Sequence, residues 1–106
     1  DGLNTKVLAT SEVSSGGVDL FLAGNLRVIE QGARLGVHAW SDGAGTIPST
    51  LPRNDPAHRR YLDYYEAVEY TKGEDFYFFT IQAAPANSLH FMTEQEIAEY
   101  EMAKSM

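Results

Sequence analysis

The stretch Ser14-Ser15-Gly16-Gly17-Val18-Asp19-Leu20-Phe21-Leu22-Ala23-Gly24 decides how the rest of the chain reads. Val18, Phe21 and Leu22 recur at helical spacing and form one apolar face of a short helix. A serine at its start suits the role of capping the unpaired N–H groups of the first turn. Gly24 stands where a glycine ends a helix. Upstream, residues 5–11 read as a strand, with Val7 and Ala9 on one side and Leu8 on the other. A serine at such a strand-to-helix junction projects from a tight turn near the positive end of the helix dipole. Gly16 and Gly17 let the backbone come close to a carbonyl, and their N–H groups suit stabilisation of an oxyanion. A serine nucleophile needs a base, and His38, within Gly36-Val37-His38-Ala39-Trp40, is the natural candidate. The same residues equally fit plain structural roles: a serine cap, glycines for tight packing, and a histidine hydrogen-bonded at the edge of a core.

Outward from this stretch, residues 26–29 and 34–39 read as short strands around a Gln31-Gly32 turn, and residues 41–54, with Gly43, Gly45, Pro48 and Pro52, as a loop. Asp55 followed by Pro56 opens a helix, since aspartate caps well and proline is favoured at the first helical position. Tyr61, Tyr65 and Val68 form its buried stripe, and Gly73 after Lys72 is expected to end it. Residues 74–84 read as a second helix, stopped by Pro85. Phe76, Phe79 and Ala83 occupy one of its faces and Tyr77, Ile81 and Ala84 another, so it demands burial on several sides. A core made by this chain alone is expected to be too small for that. Thr93-Glu94-Gln95-Glu96 is a capping box opening a last helix to about Lys104. The fold class is therefore α/β, with short strands in the first half followed by three helices.

The 106 residues make a single domain or part of one, 43% hydrophobic and 22% charged, a globular balance. Eight lysines and arginines against fifteen aspartates and glutamates give a net charge of −7, which repels phosphate backbones and excludes nucleic acid as a partner. The charge is uneven. Residues 1–53 carry five acids and four bases; residues 54–106 carry ten acids and four bases. No apolar run approaches the roughly 18 residues that span a bilayer, so no membrane span is expected. The absence of cysteine removes thiolate catalysis and cysteine-based zinc sites.

The other candidates are weaker. His58, beside Arg59 and Arg60, reads as a solvated residue of a first helical turn, and His90 is ambiguous. The three histidines are far apart in sequence and lack metal-ligand spacing, so neither a metal nor another cofactor is expected. Gly43-Ala44-Gly45 lacks the lysine and helix of a phosphate loop. Glu94, Glu96, Glu99 and Glu101 read as a solvated face with favourable first-turn charge.

The run from Ser14 to Gly24, then Arg27, then Gly36-Val37-His38, resembles the Clp protease/crotonase superfamily. In Clp-type serine peptidases a strand leads to a nucleophilic serine at a helix start. That helix is followed by an Ala-Gly turn, an arginine, and a strand ending in the catalytic histidine. Aligning Ala23-Gly24 and Arg27 on this pattern puts Ser15 at the nucleophile position, with Ser14 as the neighbouring alternative, and His38 at the base position. Residues 91–100 (FMTEQEIAEY) resemble the family's closing segment. Gly36 to Trp40, Asp55 to His58 and Phe76 to Ala86 resemble a subgroup of predicted periplasmic Clp-like proteins of bacteria.

The resemblance implies a Clp/crotonase-like fold, an extracytoplasmic location, and peptide-bond hydrolysis on a peptide or protein substrate. Two departures qualify it. The family's third triad member is an aspartate just before the closing segment, where this chain has Asn87-Ser88-Leu89-His90; Asn87 or Ser88 is the candidate to orient His38 through a hydrogen bond. The family's glycine-rich oxyanion loop lies upstream of the nucleophile strand and has no counterpart before Asp1, so the expectation is an incomplete fold, the C-terminal portion of a Clp-like domain. It would pair with a missing N-terminal portion or form a homo-oligomer, and its peptidase activity would be weak or absent. The alternative is a non-catalytic interaction or assembly module on the same scaffold, since a fold does not fix its chemistry.

Overall fold

The segment read as one strand over residues 5–11 is two. In the computed structural model, which describes residues 3–14 and 16–104, β1 (Thr5–Val7) stops at a turn in which the Ser11 N–H donates to the Leu8 carbonyl at 2.9 Å. β2 (Glu12–Ser14) follows and leads directly to the start of α1 (Gly16–Leu22). Leu8 and Ala9, expected on opposite faces of a strand, are both exposed in the turn. β3 (Arg27–Ile29) and β4 (Arg34–Val37) break at the matching place, through a turn at Gly32 with φ +99°. A Cβ on Gly32 would lie 3.3 Å from the Ala9 carbonyl oxygen, so the two turns pack together and the positive φ suits glycine alone.

Pairing follows from these breaks. β1 runs parallel to β3, with Thr5 opposite Arg27 and Val7 opposite Ile29. β2 runs parallel to β4, with Ser14 opposite Gly36. β5 (His90–Phe91), not foreseen from the sequence, adds antiparallel to β4 and completes a three-stranded sheet ordered β2-β4-β5. Parallel neighbours need a crossover between them, and α1 lies between β2 and β3 in the chain. Val18, Phe21 and Leu22 are all buried, as their spacing predicts. Gly24 is required for close approach: a Cβ there would sit 2.1 Å from Thr5 Oγ1, the hydroxyl that donates to the Phe21 carbonyl.

The helical half begins as expected. Asp55 caps α2 (Pro56–Ala67) by accepting from the Ala57 N–H at 2.9 Å, with Pro56 at the first position. It does not end at Gly73. Glu69 takes the left-handed conformation (φ 63°), the Glu69 N–H donates to the Glu66 carbonyl, and the Tyr70 N–H to the Tyr65 carbonyl. This is a Schellman cap with Tyr70 packed on Tyr65. Gly73 instead opens α3 (Gly73–Ala83), where its missing side chain admits Tyr65: a Cβ would approach the Tyr65 Cβ to 2.4 Å. α4 (Glu94–Glu99) carries the full capping box between Thr93 and Glu96 but ends short of Lys104, closed by a second Schellman turn with Glu101 at φ 50°.

The apolar surface of α3 is buried by this chain itself, contrary to expectation. Phe76 packs on Tyr65, Tyr70 and Tyr100; Tyr77 on Tyr61 and His58; Phe79 on His90 and Tyr100. Phe76 and Tyr77 are among the most deeply buried side chains. Arg27, 6% exposed, donates to the carbonyls of Gly24, Glu101 and Met102, tying α1 to the turn after α4. The architecture is mixed α/β, with two small sheets and four helices among the described residues, and no described helix is long and apolar enough to cross a membrane.

Candidate functional site

Two adjacent parallel strands, β2 and β4, end side by side, and the residues that follow them are the sequence-predicted ones. Catalytic groups in α/β proteins gather beyond the carboxyl ends of parallel strands. Ser14 closes β2 and Gly16 opens α1; Ser15, the nucleophile candidate between them, lies outside the described residues. His38 follows Val37, the last residue of β4. Gly16 and His38 line one cavity of about 200 Å³. Gly17, on the next position of α1, is exposed, and a Cβ there would make only an ordinary 3.6 Å contact with Val13. A Cβ on Gly16 would meet no atom of the described residues beyond its chain neighbours within 4 Å. Neither glycine is demanded by packing or by a positive φ.

The orientation of His38 follows from one contact. Its Nδ1 lies 2.7 Å from the Ala39 carbonyl oxygen. A carbonyl only accepts, so Nδ1 carries the proton and the basic lone pair of the neutral ring is on Nε2. The Ala39 N–H in turn donates to the Ala84 carbonyl at 2.9 Å, fixing this strand end against the end of α3. Asn87 and Ser88 are exposed on the turn that follows, where the Ser88 N–H donates to the Pro85 carbonyl at 3.0 Å. Among the described residues no hydrogen bond joins either of them to His38.

The walls of the cavity are aromatic. Tyr61 stacks between Trp40 and Tyr77, with ring centroids 5.9 and 5.4 Å apart and planes within 9° and 18° of parallel. The Trp40 indole N–H donates to the Tyr77 hydroxyl at 2.8 Å, and the same hydroxyl lies 2.6 Å from His58 Nδ1. His58 is therefore not solvated but 1% exposed, part of the support behind the cavity; its Nε2 is buried with no hydrogen-bond partner among the described residues. The signal was present, because His58 extends the Tyr61 and Tyr65 stripe backwards by one helical step. His90 bonds Glu96 at 2.8 Å, making both structural parts of the α4 cap.

One lining residue escaped the sequence reading. Asp19, on α1, is partly buried, and its carboxylate accepts from the Tyr65 hydroxyl at 2.6 Å while its backbone carbonyl accepts from Tyr64. Burial raises its pKa from the ordinary aspartate value, opposed by the Tyr65 hydrogen bond. The Tyr65 hydroxyl is pushed strongly up by burial and by the neighbouring Asp19 charge. In sequence Asp19 reads as an ordinary acid in a first helical turn; only the fold brings α2 over it.

Among the described residues no group of three histidine, aspartate or glutamate side chains forms a metal site. No family model matches the chain, and no curated protein or solved structure matches it either.

Proposed function

We propose that this chain carries the nucleophile and base of a serine hydrolase of the Clp/crotonase kind, acting on peptide bonds. The observation that carries the reading is the single cavity shared by Gly16 and His38 at the ends of paired parallel strands, with the His38 proton held on Nδ1 by the Ala39 carbonyl. Ser15 attacks the substrate carbonyl carbon as His38 Nε2 takes its hydroxyl proton. The carbonyl oxygen becomes an oxyanion, to which the Gly16 N–H is one donor. Collapse breaks the C–N bond, and the imidazolium returns the proton to the leaving amine. Water, activated by the same ring, then releases the acyl group from Ser15. The Ala39 carbonyl holds the ring in the productive tautomer, a task that the sequence reading gave to Asn87 or Ser88. A neutral carbonyl stabilises the imidazolium less than an aspartate does, so turnover is weak. An extracytoplasmic setting in bacteria belongs to the same reading and rests on the resemblance of the motifs.

A second reading is a non-catalytic binding module, favoured by the carbonyl, rather than a carboxylate, at His38 Nδ1. Labelling with a fluorophosphonate probe separates the two. The hydrolase reading predicts a covalent adduct that disappears in Ser15→Ala, whereas equal labelling of both proteins removes Ser15 from the mechanism.

A further inference from the structure

The cavity that holds His38 has a chemical character of its own, set by an apolar floor and one acidic group in its wall. Its rim is half-exposed, formed by His38, Trp40 and Tyr61; its floor is buried, formed by Val18, Phe76, Tyr77 and Ile81. At about 200 Å³ it is of the size that accepts one side chain, since a cavity of ~150 Å³ takes up a benzene. The acidic group in this wall is Asp19. Of the described acids in the first half of the chain, Glu12 pairs with Arg34, Glu30 with Lys6, and Asp42 is satisfied by Thr46 in an exposed loop. Asp19 forms no ion pair among the described residues and has one side-chain hydrogen bond, from Tyr65 to Oδ1.

We infer that this cavity is a specificity pocket for a basic side chain, lysine or arginine, whose charged head meets the Asp19 carboxylate and whose stem lies along the aromatic walls. The inference rests on the proposed hydrolase and names the substrates it prefers: peptides with a basic residue beside the bond attacked by Ser15. Two physical effects act together. A partly buried carboxylate without a cation is a costly group that an incoming guanidinium relieves through a charge-assisted hydrogen bond. Tyrosine and tryptophan faces also attract cations through their ring quadrupoles. Burial, which already raises the pKa of Asp19, strengthens both because it excludes competing water. Other charged or titratable groups around Asp19 are His38 after β4, Arg60, Tyr61, Tyr64 and Tyr65 from α2, and Tyr77 from α3. Arg60 lies over the Tyr61 ring, 5.0 Å from its centroid, with one guanidinium nitrogen bonded to the Tyr61 hydroxyl.

The test uses Trp40, the single tryptophan of the chain, which lines the pocket and reports occupancy by its fluorescence. Wild-type protein is titrated with n-butylguanidinium and with n-butylurea, a neutral molecule of similar shape. A charge-assisted contact predicts binding of the cation roughly tenfold tighter or more. Asp19→Asn, which keeps an acceptor for Tyr65, is expected to erase that preference, and Ser15→Ala to retain it. Equal affinity for the two probes in the wild-type protein overturns the inference, whatever the variants do. Cation preference in a protein that fluorophosphonate does not label would retain the pocket and reject the hydrolase; labelling without cation preference would do the reverse.

Discussion

The two halves of the molecule are held together by different physics. Up to Trp40 the chain is ordered by backbone pairing: short parallel strands whose hydrogen-bond ladders set which residues end up adjacent, around a mostly aliphatic core of Val7, Val18, Phe21, Leu22, Leu35 and Val37. From Pro56 onward it is aromatic packing. Tyr65, Tyr70, Phe76, Phe79 and Tyr100 form one continuous run of ring contacts, and Trp40, Tyr61, Tyr77, His58 and Phe78 form a second. The division matches the candidate chemistry. The groups proposed to react follow strand ends, where register fixes position to the residue; the cavity walls come from helices and from Trp40, whose large rings fill space with shape. Charge divides the same way, since most of the net negative charge belongs to the helical half.

Arg27 is the point at which the halves depend on each other, and its removal is the strongest test of that dependence. It is buried in the first half and bonded to the Glu101 and Met102 carbonyls of the second. Arg27→Leu leaves those carbonyls unpaired and is expected to cost about 3 kcal/mol or more, seen in urea denaturation as a large fall in midpoint. Next is Gly73→Ala, in the helical half. A Cβ forced to within 2.4 Å of Tyr65 is expected to cost about 1–3 kcal/mol and to broaden the tyrosine near-ultraviolet signal.

Asp19→Asn has a smaller effect of opposite sign. Because burial raises the folded-state pKa of Asp19 above its unfolded value, the folded protein binds the proton more tightly. The stability this contributes is present below the ordinary carboxylate pKa and is lost as pH rises through the folded-state value. At neutral pH the ionised group is thus a burden, and Asp19→Asn should be more stable there by up to about 1 kcal/mol. That advantage should disappear in melts taken below the carboxylate range, where Asp19 is neutral. The smallest expected effect is at Gly17, where the Cβ of an alanine makes only ordinary contact with Val13. Gly17→Ala should stabilise α1 by about 0.5–1 kcal/mol through helix propensity, whereas a loss of stability would show that the α1 entry is more crowded than described.

What the sequence made legible was local. The face of α1, the Asp55-Pro56 start of α2 and the Thr93–Glu96 capping box are each written within a few residues, and each forms as expected. Breaks set by distant partners were not legible. Nothing between Thr5 and Ser11 announces a turn, because what packs on it is distant in sequence: the Gly32 turn between β3 and β4 lies against Ala9. The end of α2 was misplaced because glutamate, a rare occupant of the left-handed region, takes the position at which glycine is the usual signal. Gly73 was read as that stop, but it is small for the sake of Tyr65. Gly16 and His38 could be placed near each other because each follows a strand end that is marked locally, and the two do line one cavity. Asp19 was missed because its partner, Tyr65, lies on a helix far along the chain.

The central claim is that the strand ends assemble a serine nucleophile with His38 as its base. Fluorophosphonate labelling of the wild-type protein, Ser15→Ala and His38→Gln, with mass-spectrometric mapping of the modified peptide, tests it most directly. The predicted result is an adduct on Ser15 in the wild type, none in Ser15→Ala, and labelling slowed by about 100-fold or more in His38→Gln. Labelling at another residue, or at equal rates in all three proteins, would contradict it.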